Sequence, residues 1–104
     1  MKQMNLDPAL FRERAGEAAK LLRTMSNEHR LMILCRLGGG ELSAGDLLAG
    51  TTLSQSALSQ HLAVLREDGL VATRRAGLNI FYRIADPSAL RVIETLAAIF
   101  CPEE

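Results

Sequence analysis

The side chains of this chain best suited to chemistry are its two cysteines, its two histidines and a run of small polar residues. Cys35 and Cys101 stand 66 residues apart, and the histidines are His29 and His61. Zinc takes three or four N, S or O ligands. The chain has two Cys and two His, with no pair at ligand spacing, so neither a metal nor a cofactor is expected. There is no nucleophile–base–acid set of the kind an enzyme needs, since neither cysteine has a histidine and a third orienting group in an identifiable arrangement. Gly38-Gly39-Gly40 is not followed by the Lys-Ser or Lys-Thr of a phosphate loop, and reads as a helix stop. Thiols remain the reactive groups.

The polar run is more informative. Between Ser54 and His61 the sequence is Ser-Gln-Ser-Ala-Leu-Ser-Gln-His. With Leu58, Leu62 and Leu65 on the inner stripe of a helix, Gln55, Ser56, Ser59 and Gln60 occupy the opposite face. Gln bonds bidentately to adenine, and Ser reaches base edges or phosphates. A solvated face would more commonly carry Glu and Lys pairs. Ser54 caps this helix, whose free N-terminal amides favour phosphate. His61, beside Leu62, is expected at the edge of the core with a minor part in DNA contact, and His29 is read as structural. Downstream, Arg74, Arg75 and Arg83 flank a tight turn with Asn79 and Tyr82, a placement suited to phosphate contact or minor-groove insertion.

Five helices and one hairpin must position these residues. Asp7-Pro8 opens the first helix, with an Asp cap and proline at the first helical position. Its Phe11, Ala15, Ala18, Leu22 and Met25 step by four and three along one stripe. Ser26 is expected to cap the second helix, with Leu31, Leu34 and Cys35 facing inward. Ser43-Ala44-Gly45-Asp46 resembles a capping box and opens a short third helix. The fourth runs from its Ser54 cap to Asp68 and stops at Gly69. Val71 to Arg75 and Asn79 to Ile84, joined by Ala76-Gly77-Leu78, form a hairpin. Asp86-Pro87 opens the last helix, which carries Leu90, Ile93, Ala97 and Phe100.

Two short helices joined by a glycine-containing turn and followed by a hairpin make a winged helix-turn-helix, mainly α with a small β-hairpin. The first and last helices have apolar stripes to spare, so a homodimer through these helices is expected, with Phe11, Leu22, Leu90, Ile93 and Phe100 between protomers. One domain over residues 1–104 suits the length. No apolar run approaches the roughly 20 residues of a membrane span, and the N-terminus lacks a signal-peptide stretch, so a cytoplasmic location without membrane contact is expected. Twelve basic and twelve acidic residues cancel. The charge is nevertheless uneven: +2 from Ser54 to Ile84 and −3 from Ala85 to Glu104. A modest basic face fits double-stranded DNA as partner.

The stretch from Leu53 to Val71 resembles the recognition helix of the ArsR family of dimeric bacterial repressors. Ser26-Asn27-Glu28-His29-Arg30-Leu31 and Glu41-Leu42-Ser43-Ala44-Gly45-Asp46-Leu47 match further family segments in order. The resemblance covers nearly the whole chain. It implies a homodimer on a palindromic operator that lets go of DNA on meeting its inducer. Metal-sensing members place cysteines in the segment equivalent to Glu41–Leu47, or carboxylates and histidines on the last helix. Here Ser43 takes the first position and the last helix has no histidine.

Cys35 and Cys101, in the contexts Ile33-Leu34-Cys35 and Phe100-Cys101-Pro102, resemble the persulfide-sensing branch of that family, which carries one cysteine in each of these two helices. The branch implies that a reactive sulfur species modifies one thiol and the other closes a disulfide or polysulfide bridge, tilting the last helix and respacing the two reading helices. Cys35 is expected to be buried and Cys101 to be the more accessible, faster attacker. Taken alone, the same pair reads as one core and one terminal cysteine. A peroxide or general disulfide-stress sensor would use the same thiols, and a winged-helix protein-interaction module is the alternative of another class.

Overall fold

A computed structural model describes residues 6–101. Its elements are α1 (Pro8–Met25), α2 (Glu28–Leu37), β1 (Leu42–Ser43), α3 (Ala44–Ala49), α4 (Gln55–Glu67), β2 (Val71–Ala76), β3 (Asn79–Ile84) and α5 (Pro87–Phe100). This is the winged helix-turn-helix expected, with one addition. β1 pairs with β3, Leu42 opposite Tyr82, so the wing is a three-stranded antiparallel sheet in the order β1-β3-β2. Two residues carry no alternation that could mark a strand in sequence.

Local signals set most boundaries. The Asp7 and Asp86 carboxylates accept amides of the first turns of α1 and α5, each with proline at its start. Ser43 and Ser54 do the same for α3 and α4. The second helix differs from expectation. Asn27, not Ser26, is its cap, accepting from the amides of His29 and Arg30 at 2.9 and 3.1 Å. The Ser26 hydroxyl instead donates back to Arg23 O, closing α1. Asn caps at least as well as Ser, so the choice fell to the path of the chain. Gly69, at φ 77°, closes α4: its amide bonds to Arg66 O and that of Leu70 to Leu65 O, a Schellman ending. Gly77, at φ 62°, takes the first central position of the β2–β3 turn, where a two-residue hairpin needs a positive φ.

The core joins every helix. Leu34, Leu47, Leu65 and Ala89 are fully enclosed, with Met25 from α1 and Leu58, Leu62 and Ile93 close behind. On α2 the buried residues are Ile33, Leu34 and Leu37, not the expected Leu31, Leu34 and Cys35. Successive helical residues turn by about 100°. The buried arc lies on the Ile33 side of Leu34, and Cys35, one step the other way, falls outside it.

Candidate functional site

α4 presents the expected division of faces. Leu58, Leu62 and Leu65 are buried, while Ser54, Gln55, Ser56, Ser59 and Gln60 are all exposed. The Ser54 hydroxyl accepts from the Ala57 amide at 3.1 Å, so it is engaged in capping. His61 is half-buried and turned toward α2. Its ring lies 5.5 Å from that of His29, and its Nδ1 is 3.4 Å from Nη1 of Arg30. Arg30 carries only donors, so Nδ1 serves as acceptor and the ring is neutral. Burial, then the charges of Arg30 and His29, hold His61 below the ordinary histidine range. Arg30 also donates from Nε to Thr24 O at 2.6 Å.

On the wing, strand register separates the arginines. Arg74 lies opposite Phe81 and Arg83 opposite Ala72, on one face of the hairpin. Arg75, opposite Ile80, is on the other face, the one that carries the buried Val71 toward the core. All three are exposed. Arg74 is already engaged: its Nε reaches both Glu41 carboxylate oxygens at 3.0 Å, Nη2 reaches Oε1 at 2.8 Å, and the guanidinium lies 4.5 Å from the Phe81 ring centre. Glu41, 33 residues earlier in the chain, had no sequence signal linking it to this arginine. Arg75 and Arg83 have no such partner among the described residues.

Cys35 and Cys101 are both free thiols, and both are exposed in the single chain. The expected burial of Cys35 is therefore corrected: helix rotation sets it outside the core arc. Cys101 ends α5, its amide donating to Ala97 O at 2.7 Å. Pro102 lies outside the described residues. The C-terminal end of α2 rests on α5; a Cβ added at Gly38 would lie 3.9 Å from Leu90 Cδ1. Among the described residues no three His, Cys, Asp or Glu side chains gather as a metal site would require, and no helix is long and apolar enough to cross a membrane.

Exposure in the single chain divides the residues expected between protomers. Phe11, Leu22 and Phe100 are exposed at 61%, 56% and 76%, whereas Ile93 is only 7% exposed and belongs to the chain's own core. Leu90 is half-buried.

Residues 27–73 match the family described as bacterial regulatory protein, arsR family. The chain is 52% identical over 93 residues to the biofilm growth-associated repressor of Agrobacterium fabrum, an alignment covering 88% of this chain and 80% of that one. It is 46% identical over 98 residues to the transcriptional activator HlyU of Vibrio cholerae, covering 94% and 89%. Among solved structures, the transcriptional repressor BigR of Xylella fastidiosa superposes with a TM-score of 0.88 at 42% identity, covering 94% of this chain and all of that one. Reduced HlyU from Vibrio cholerae superposes at 0.83 and 46% identity, covering 88% and 96%. The polar face of α4, the wing beside it and these relatives converge: the chain belongs to the arsR family of bacterial regulatory proteins and is a transcriptional regulator, not an enzyme.

Proposed function

We propose that the whole chain acts as one DNA-binding and dimerisation domain, a cytoplasmic homodimeric repressor that releases its operator when reactive sulfur modifies Cys35 and Cys101. The observation that carries the DNA half is the exposed Gln55–Ser56–Ser59–Gln60 face of α4, a helix packed on β2 of the wing, whose exposed Arg75 and Arg83 have no carboxylate partner among the described residues. The helix supplies side chains that can bond base edges, and the wing supplies cations that can hold phosphate. The biofilm repressors support the sign of regulation. HlyU is described as an activator, so activation from the same DNA contacts is the second reading.

The thiol half is supported by two exposed cysteines, one on α2 and one at the end of α5, helices that touch, and by a similar protein, HlyU of Vibrio cholerae, whose solved structure is described as reduced. The chemistry balances without an outside oxidant. One cysteine thiolate attacks the sulfane sulfur of a donor RSSH, forming a cysteine persulfide and releasing RS⁻. The second thiolate attacks the inner sulfur of that persulfide and expels HS⁻. Two thiols and one RSSH thus give one disulfide, RSH and H₂S. A trisulfide forms if the second cysteine also carries a sulfane sulfur, at the cost of a second RSSH. A direct disulfide needs Cα atoms roughly 4.4–6.8 Å apart, so a wider gap favours the longer bridge.

The test is an operator shift with intact-mass analysis on the native sequence and on Cys35→Ser and Cys101→Ser, with persulfide, peroxide and disulfide donors in parallel. Native protein should release DNA with the persulfide donor and carry an internal sulfur bridge. Both variants should bind and fail to release. A full response from either variant would overturn the paired-thiol mechanism, and an equal response to peroxide would favour a general oxidant sensor. A reporter driven by the operator separates repression from activation.

A further inference from the structure

Arg36 follows Cys35 on α2, and its guanidinium leaves that helix for another. Nη1 donates to Leu47 O and Nη2 to Asp46 O, each at 2.9 Å. Both carbonyls belong to α3, the six-residue first helix of the helix-turn-helix. A cation at the negative end of a helix, supplying donors to its last carbonyls, is favourable.

Gly50 explains itself through the same contact. Its φ of −96° is one that any residue adopts, so backbone conformation does not call for glycine. Space does. A Cβ there would lie 2.5 Å from Arg36 Cζ and Nη2 and 2.6 Å from Nη1. The guanidinium lies against Gly50 where a side chain would otherwise begin.

α3 is too short to hold itself. Its place depends on the buried Leu47, on β1 before it and on Arg36. α2 in turn rests on α5 at Gly38 and Leu90. We propose that Arg36, seated on Gly50, is the positioning residue through which a displacement of α2 at Cys35 reaches α3 and the reading helix. This rests on the thiol reading above and names the path by which it acts.

The test uses the full chain with Cys101→Ser, so that iodoacetamide marks Cys35 alone. The thiolate attacks the methylene carbon, an S–C bond forms, and iodide leaves; the carbamidomethyl group is larger than the sulfhydryl that a persulfide donor adds to a lone Cys35, and it stands in for the displacement that the bridge imposes. Operator affinity is measured before and after modification, hydrogen exchange follows the amides of α3, and intact mass confirms equal labelling. With Arg36 and Gly50 present, the adduct should lower operator affinity by a factor of about ten, within the usual range of allosteric couplings, and speed exchange in α3. In Arg36→Met and in Gly50→Ala the same adduct should change affinity by less than about twofold. Gly50→Ala need only displace the end of a flexible side chain, so it keeps the test usable if Arg36→Met folds poorly.

A stability cycle adds a readout of the contact itself: Gly50→Ala should be destabilising with Arg36 present and neutral in Arg36→Ala. Retention of the tenfold loss in both variants, an adduct with no effect on the native contact, or an additive cycle would each overturn the proposal. Failure of the thiol reading shows separately, as a native two-cysteine protein that keeps its operator under persulfide.

Discussion

At the scale of single residues, the wing shows why three arginines near a turn are not equivalent. Arg74 is held by Glu41 and laid over Phe81, while Arg75 and Arg83 project from opposite faces without such a partner among the described residues. A phosphate must compete with Glu41 for Arg74 but has no such rival at the other two. Arg75→Ala and Arg83→Ala should therefore weaken binding to any DNA and reduce the salt slope, with Arg74→Ala smaller in effect. Glu41→Gln should do the reverse, steepening the dependence of log K on log salt by about 0.9, the equivalent of one phosphate contact. Fluorescence anisotropy on non-specific duplex across a salt series reads all four; a Glu41→Gln slope equal to that of the native sequence would mean that Arg74 takes no part. On α4, Gln60→Ala and Ser56→Ala should each lose about 1–3 kcal/mol of operator affinity while non-specific binding is kept. Competition between operator and scrambled duplex gives that difference directly.

At the scale of elements, α1 and α2 hold the reading helix by polar bonds as well as by leucines. The hydroxyl of the buried Thr24 donates to the Asp68 carboxylate that ends α4, and Arg30 spans Thr24 O and His61. Thr24→Val keeps the shape and leaves Asp68 without that donor. A hydrogen bond to a charged group contributes about 1.5–3 kcal/mol, so urea denaturation should report a loss of that order; an unchanged midpoint would show that water replaces the hydroxyl.

His61 makes the same junction sensitive to acid. Its folded pKa is depressed below the ordinary 6.5 by burial and by Arg30 and His29. The unfolded chain therefore binds the proton more readily. The stabilising contribution of neutral His61 is complete above pH 6.5 and is lost as pH falls through the lower folded value. Denaturation series from pH 7.5 to 5 should show stability falling faster for the native sequence than for His61→Gln. Parallel curves would place the acid sensitivity elsewhere.

At the scale of the whole molecule, the single chain has more apolar surface than it can use. Its radius of gyration is 15.5 Å, against about 13 Å for a compact chain of 100 residues. Phe11 and Leu22 on α1, and Ile99 and Phe100 on α5, are all more than half exposed. The proposed second copy would cover both helices by one symmetric operation. Leu22→Glu with Phe100→Glu should give a folded monomer, because neither residue is in the chain's own core. Ile93→Glu should unfold the chain instead, since it places a charge at a residue only 7% exposed. Sedimentation combined with circular dichroism distinguishes the two, and a dimer that survives the double change would put the interface on another face.

The sequence by itself determined whatever depends on neighbours three or four residues away. Asp7-Pro8, Asp86-Pro87, Ser43, Ser54, Gly69 and Gly77 each mark a boundary through a bond or dihedral made within a few residues, and the structure has those boundaries. Leu58, Leu62 and Leu65 likewise divided α4 into a buried face and a polar one. The tertiary structure alone decided what depends on the rotation of a helix about its axis and on contacts distant in the chain. A local pattern leaves α2 two adjacent apolar arcs, and packing against α4 and α5 chose the one containing Ile33 and Leu37, leaving Cys35 outside. The same packing drew Ile93 into the core, engaged Arg74 with Glu41, paired β1 with β3 and set Arg36 on Gly50. None of these partners is within one helical turn of the other in sequence, and periodicity carries no information beyond the element that has it.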